Sequence, residues 1–227
     1  MKSYFLFASK MGMIFLGSLI LFSCAPKQQL AMTLLVDGQY KRIAVMPFQK
    51  GSPEDVANRL LFYDSEMVTQ DDADAAENVV AASFIDRLSR NEKVEVVSVA
   101  DTNKLYRRIT TEVMSQGSGT EKERILRIGK ELGADAIVVG YIYRFREREG
   151  TSFAVKKAAS VAFEIKLLDG KTGAPIWQGT FDKTQRSLME NLFNLPTFIR
   201  GKGQWITAKE LTDEGMEQLF KSFSVSR

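Results

Sequence analysis

The apolar positions of this chain change period several times, and each change predicts an element. Met11 to Phe22 is an uncharged apolar run of 12 residues behind Lys2 and Lys10. It is short for a bilayer span and has the flanks of a secretory leader. Residues 25–40 show no clear period and read as a tether. Lys41 to Phe48 predicts a buried strand rich in branched residues and stopped by Pro47. The polar stretch from Gln49 to Asp72 is longer than an ordinary connection, and loops of that length tend to be functional or mobile.

A helical period then sets in. Ala76, Val79, Val80, Phe84 and Leu88 fall on one stripe from Ala73 onward, with Asp71 or Asp72 as cap. Val94 to Val97 predicts a second strand. Asp101 opens a helix with Leu105, Ile109 and Val113 on its apolar face, closed by Gly117-Ser118-Gly119. Thr120 with Glu123 is a capping-box pattern for a further helix through Ile125, Ile128 and Leu132, and Gly133 suits its left-handed stop.

Ala134 to Tyr143 has the continuous apolar centre of an interior strand. Ser152 to Leu168 alternates, with Val161, Phe163, Ile165 and Leu167 on one side and Ser160, Glu164 and Lys166 on the other. Asp169 to Gly173 is a turn, and Pro175 to Asp182 returns as the hairpin partner. Leu188 to Ile206 is apolar and irregular, and Thr207 with Glu210 opens a last helix through Phe220. This order predicts an α/β fold: a mixed sheet of about five strands flanked by helices, without the regular alternation of a dinucleotide-binding fold. The divisions are a signal peptide over 1–23, the cysteine and tether over 24–40, and one α/β domain over 41–227.

Composition narrows the chemistry. The 227 residues include no His and a single Cys, Cys24, which removes the usual zinc ligands and the usual base for a Ser or Cys nucleophile. No catalytic residue, metal site or cofactor is assigned. The 31 Lys and Arg face 28 Asp and Glu, and without Lys2 and Lys10 the balance is 29 to 28. That is not the electrostatic footprint of a nucleic-acid partner. Carboxylate pairs such as Glu54 with Asp55, or Asp71 with Asp72 and Asp74, lack the spacing of a calcium loop and read as loop solvation and helix capping. Gly170-Lys171-Thr172 matches the end of a phosphate-binding loop, but the first glycine of that loop would stand at Ile165, and strands flank the motif on both sides.

Leu21-Phe22-Ser23-Cys24 resembles the bacterial lipobox, with an aliphatic residue three places before the cysteine and a small residue immediately before it. Phe22 departs from the usual small or branched residue. In lipoproteins the cysteine thiol receives a diacylglyceryl group, the leader is cut before it and the new amino terminus is acylated. Ala25 in place of Asp points, by resemblance to enterobacterial sorting, to the outer membrane.

With Ile43-Ala44-Val45-Met46-Pro47-Phe48, Gly133-Ala134-Asp135-Ala136-Ile137-Val138-Val139-Gly140 and Leu167-Leu168-Asp169-Gly170-Lys171-Thr172-Gly173-Ala174-Pro175-Ile176-Trp177 in this order, the chain resembles a group of periplasmic lipoproteins over roughly residues 41–221. The group includes the CsgG-like curli-secretion lipoproteins, the penicillin-binding-protein activator lipoproteins and the TolB amino-terminal domain. The resemblance implies a TolB-N/CsgG-like fold, a lipid-anchored chain facing the periplasm and a role as a non-catalytic binding or assembly factor. Its partners would be the membrane, through the lipid, and an envelope protein, with oligomers open. A CsgG-like oligomeric secretion channel is the alternative and a periplasmic hydrolase a third. A channel hairpin needs lipid-facing alternate residues over about 9 to 11 positions per strand, and the adjacent Lys156 and Lys157 put a charge on that side.

Two surface candidates for partner contact follow. Arg144, Arg146 and Arg148 form a basic row interleaved with Glu147 and Glu149, either a docking face or a solvated edge. Leu192 to Arg200, with Gly201-Lys202-Gly203 and Trp205 behind it, either folds over the sheet as core or presents Phe198, Arg200 and Trp205 to a partner. Phe193 is expected in the core and Phe198 nearer the surface.

Overall fold

A computed structural model describes residues 40–51, 70–115, 117, 119–185 and 205–223. Strand β1 (Arg42–Val45) is followed by β2 (Gln49–Lys50), helix α1 (Gln70–Ser89), β3 (Glu95–Val96), α2 (Val99–Ser115) and α3 (Glu121–Leu132). Then come β4 (Ala136–Arg146), β5 (Glu149–Gly150), β6 (Val155–Lys157), β7 (Ser160–Asp169), β8 (Pro175–Thr184) and α4 (Ala208–Ser222). The main sheet runs β3-β1-β4-β7-β8, with β2 beside β4 beyond the end of β1. β1 is parallel to β3 and β4, whereas β4, β7 and β8 are successive antiparallel neighbours. The sheet is therefore mixed, with helices on both faces, as the order of periods predicts.

Helices α1 and α4 share one face. Ala76, Val80, Phe84 and Leu88 of α1, with Leu211, Met216 and Leu219 of α4, close over Ile43, Val45, Val138, Val161, Phe163, Ile165 and Leu167. The spacing of four in α1 and of two in β7 explains why these residues meet, since each period keeps one row on one side. On the opposite face, Ile109 of α2 with Ile125 and Ile128 of α3 covers Ile137, Val139 and Leu168. Both capping boxes form: Thr120 Oγ1 accepts from Glu123 N at 3.2 Å, and Thr207 Oγ1 accepts from Glu210 N at 3.1 Å. Gly133 takes the left-handed stop at φ 59°, where its N–H reaches the Lys130 carbonyl.

Several boundaries differ from the sequence expectation. The first strand breaks at Met46-Pro47-Phe48 and resumes as β2, because proline has no N–H for the ladder. Helix α1 starts at Gln70, so Asp71 and Asp72 lie in its first turn and not at its cap. Helix α2 starts at Val99, and the Ser98 hydroxyl accepts from Asp101 N at 3.4 Å, which moves the cap from Asp101 to Ser98. The long strand expected from Ser152 is two: β6 pairs with β5 in a separate two-stranded hairpin, and only β7 joins the main sheet. Trp177 packs on the sheet as expected, 3% exposed and edge-on to Phe223 at 4.8 Å between centroids.

Candidate functional site at the far end of the sheet

β4 reaches past the helix-covered part of the sheet, and a bulge there decides which way its arginines point. Ile142 pairs with Phe163 and Arg144 with Ala162, so Tyr143 is the extra residue. Strict alternation would send Arg144 to the side of Ile142, into the apolar core. The bulge turns it to the other face, and Phe145 packs against the core in its place. That other face carries Ser160, Ala162 and Glu164 of β7 opposite Thr184, Asp182 and Thr180 of β8.

Arg144 is consequently an internal group. It is 4% exposed, donates from Nε to Ser160 Oγ at 2.6 Å and pairs with Asp182. Ser160 Oγ lies 2.6 Å from Thr184 Oγ1. A charge taken out of water requires such a partner set, and its burial removes Arg144 from the expected docking row. Arg146 donates from Nε to the Ala158 carbonyl at 3.3 Å, and Arg148 donates to the Trp205 carbonyl. Trp205 N donates to the Ser152 carbonyl at 2.7 Å, and Glu147 accepts from Ala208 N at 3.1 Å. Arg148, Glu147 and Trp205 thus tie the β5–β6 hairpin to the start of α4. This corrects the reading of the arginine row as one open face. Cys24, Phe193, Phe198 and Arg200 lie outside the described residues.

Phe153, which the sequence analysis did not single out, is the exposed feature of this end. It is 75% exposed at the tip of the β5–β6 hairpin, where Thr151 Oγ1 accepts from Ala154 N at 3.1 Å and Thr151 N reaches the Ala154 carbonyl at 2.8 Å. The aromatic between Thr151-Ser152 and Ala154, small residues just before a strand, is the signal that could have found it.

Two concavities lie further along. Tyr143 Oη donates to Glu164 Oε2 at 3.0 Å, Gln178 donates to the same carboxylate, and Lys166 stands 3.5 Å away. Glu164 is fully buried, and its partners Lys166 and Gln178 line, with Glu121 and Tyr141 among others, a hollow of about 310 Å³ between α3 and the hairpin. A larger crevice of about 490 Å³ opens beyond the carboxyl end of β1, between Ala81 and Ile85 of α1 and Val99, Asn103 and Tyr106 of α2. Here the chain leaves β1 toward β3 on one side and later returns to β4 on the other, the position where open α/β sheets form ligand crevices. Asn103 Oδ1 is buried there without a hydrogen-bond partner among the described residues. Among the described residues, no three His, Cys, Asp or Glu side chains converge in a way that would hold a metal ion.

At the opposite end of β7 the chain enters the domain. Tyr40 Oη donates to Asp169 Oδ2 at 3.0 Å, and Asp169 Oδ1 accepts from Lys171 N at 3.0 Å and from Thr172 N at 2.7 Å. Burial, the largest single influence on Asp169, pushes its pKa up. The hydrogen bonds from Thr172, Tyr40 and Lys171 outweigh it, so the carboxyl sits below its ordinary value. Burial first, then the hydrogen bond and charge of Asp169, raises Tyr40 above the usual phenol range. The contribution of Asp169 is therefore present at neutral pH and lost as pH falls through its lowered value. That of Tyr40 is present below the ordinary phenol value and lost as pH rises through its raised one. Urea midpoints of the wild type and Tyr40→Phe should run parallel at pH 7 to 9 and converge above the phenol range, where only the wild type loses this contact. Parallel curves throughout would remove the contact from the stability of the fold.

No protein-family model matches the chain, and no curated protein matches it. Among solved structures, the chain is similar to the PelC dodecamer from Paraburkholderia phytofirmans, at 11% identity over 86% of this chain and 94% of that one, with a TM-score of 0.46. It is similar to lipoprotein GNA1162 from Neisseria meningitidis at 15% identity, over 70% of this chain and 96% of that one, TM-score 0.40. For the LpoB C-terminal domain from Salmonella enterica the identity is 15%, over 65% and 84%, with a TM-score of 0.33. The class defined by the sheet order is thus an α/β domain with a mixed sheet, three antiparallel strands on one side and helices on both faces.

Proposed function

We propose that this chain is a lipid-anchored, periplasm-facing binding or assembly factor of the cell envelope at the outer membrane, with no catalytic centre. The observation that carries the reading is Leu21-Phe22-Ser23-Cys24, which places the only cysteine of the chain directly behind a leader-like apolar run. Acylation there confines the domain to the membrane surface and raises its effective concentration near a membrane or cell-wall complex. The hairpin lengths favour this reading over a channel. β5 and β6 have 2 and 3 residues, against the 9 to 11 or so that a barrel strand needs, and the longer β4 and β7 bury one face against α1 and α4.

Cys24→Ser should leave an uncut or soluble form that no longer fractionates with membranes, while the wild type loses residues 1–23 and gains the mass of the acyl groups. Mass spectrometry showing an intact leader and an unmodified thiol in the wild type would overturn the anchor. Ring-shaped assemblies of the acylated protein that conduct ions in planar bilayers would make the channel correct.

A further inference from the structure

The carboxylates around the point where the chain enters are engaged by backbone N–H groups, a tyrosine or arginines. Asp135 Oδ2 accepts from Lys41 N at 3.0 Å and from Arg42 N at 2.9 Å, and Asp169 holds Tyr40 and its own turn. Glu95 pairs with Arg42, and Glu131 pairs with Arg127 at 3.2 Å and with Arg108.

The lysines of the same end are not used in this way. Lys41 lies beside β1, and its carbonyl accepts from Glu95 N at 2.8 Å, which brings Lys93 to the neighbouring loop. Gly170 N reaches the Asp135 carbonyl at 2.8 Å, which brings Lys171 beside the segment that follows α3 and its last-turn Lys130. All four lysines are exposed, and among the described residues none has an ion pair. Among the described residues, Glu92, Asp135 and Asp169 are the carboxylates of these loops that likewise have no ion pair. Four lysines without an ion pair thus stand against three such carboxylates, which leaves this end a small positive excess.

We propose that this end, with Lys41, Lys93, Lys130 and Lys171, lies against the anionic phospholipid headgroups of the membrane. The inference rests on the acyl anchor proposed above. Fifteen residues lie between Cys24 and Tyr40, a reach of at most about 55 Å when fully extended, and Tyr40 fixes the exit of that tether beside Lys171 through Asp169. The Phe153 tip stands at the other end of β7, whose 10 residues span about 33 Å, so turning it to the same membrane would take up more than half of the tether's full reach. A single lysine near an anionic surface changes partitioning by a factor of about five, and the effect fades with salt. The anchor sets the distance, the lysines set the orientation, and Phe153 points away from the bilayer.

The test uses the acylated full chain on vesicles of phosphatidylethanolamine with phosphatidylglycerol. Cys24 is the only cysteine and is blocked by the lipid, so a fluorophore on Ala174→Cys or Phe153→Cys reports one position. Headgroup nitroxide lipids should quench the label at 174 several-fold more than the label at 153. The difference should collapse in high salt, on neutral phosphatidylcholine vesicles, and when Lys41, Lys93, Lys130 and Lys171 are all changed to Gln. Equal quenching at the two positions, stronger quenching at 153, or no effect of the four substitutions would overturn the orientation while the protein stays on the vesicles. Low quenching at 174 together with energy transfer between labelled copies would assign this end to a second chain and likewise overturn it. A wild-type chain that fails to stay on any vesicle would overturn the anchor reading, and this inference with it.

Discussion

Phe84→Ala is expected to cost about 3 to 5 kcal/mol, a large share of the 5 to 15 kcal/mol or so that holds an ordinary domain together. Phe84 is fully buried and stands where four parts of the chain meet. Its ring lies 6.4 Å from Phe48 beside β2, 5.2 Å from Phe220 on α4 and 5.8 Å from Phe223 just after it, while its own helix crosses the sheet. Truncation leaves a cavity among aromatic rings of which Phe48 and Phe223 are themselves buried and packed, so the upper part of that range applies. Phe220→Ala should cost less, because Phe220 is only partly buried at the same cluster. Urea unfolding of the two variants checks both claims. A Phe84→Ala protein within about 1 kcal/mol of wild type would mean that α1 is not held to the sheet by this residue.

The second large effect concerns a charge. Asp182→Ala should destabilise by about 3 kcal/mol, because it removes the carboxylate from Arg144 and leaves a guanidinium that is 4% exposed with Ser160 as its remaining side-chain partner among the described residues. Asp182 keeps 24% of its side-chain surface in solvent, so water relieves part of the penalty and the value falls at the low end for a broken buried pair. Changing both residues, Arg144→Met with Asp182→Leu, should recover most of the loss, since the expensive state is one unpaired charge and not the absence of the pair. The check is a double-mutant cycle followed by denaturation. Additive losses in the double variant would show that the two side chains act independently and that the bulge at Tyr143 is held by other contacts.

Legibility from sequence followed periodicity. The stripe Ala76, Val80, Phe84 and Leu88 and the row Val161, Phe163, Ile165 and Leu167 were readable because a regular helix or strand repeats the same facing, and both rows are buried together. Thr120 with Glu123, Thr207 with Glu210, and Gly133 were readable because caps depend on side chains within one turn. The arginine row was misread at Arg144 for the complementary reason. A bulge inserts one residue and reverses every facing after it, and nothing local in Tyr143-Arg144-Phe145 announces it. The split of the strand from Ser152 was hidden in the same way, because Val155 to Lys157 alternates as well in a separate hairpin as in a sheet.

The sequence by itself determined the elements, their amphipathic faces, the caps and the motif around Cys24, all of which depend on neighbours a few residues apart. Tertiary structure alone decided three things. It joined Arg144 to Asp182 across three strands, where burial turns a surface charge into an internal pair. It opened the crevice beyond β1, which exists because the chain leaves that strand toward β3 and returns to β4 on its other side. It gathered Lys41, Lys93, Lys130 and Lys171 at the end where the chain enters, while Asp135 and Asp169 hold the backbone and Tyr40 there and Glu95 and Glu131 pair with arginines. Composition sums these charges to near zero, and only their placement in the fold shows which of them are left without an ion pair.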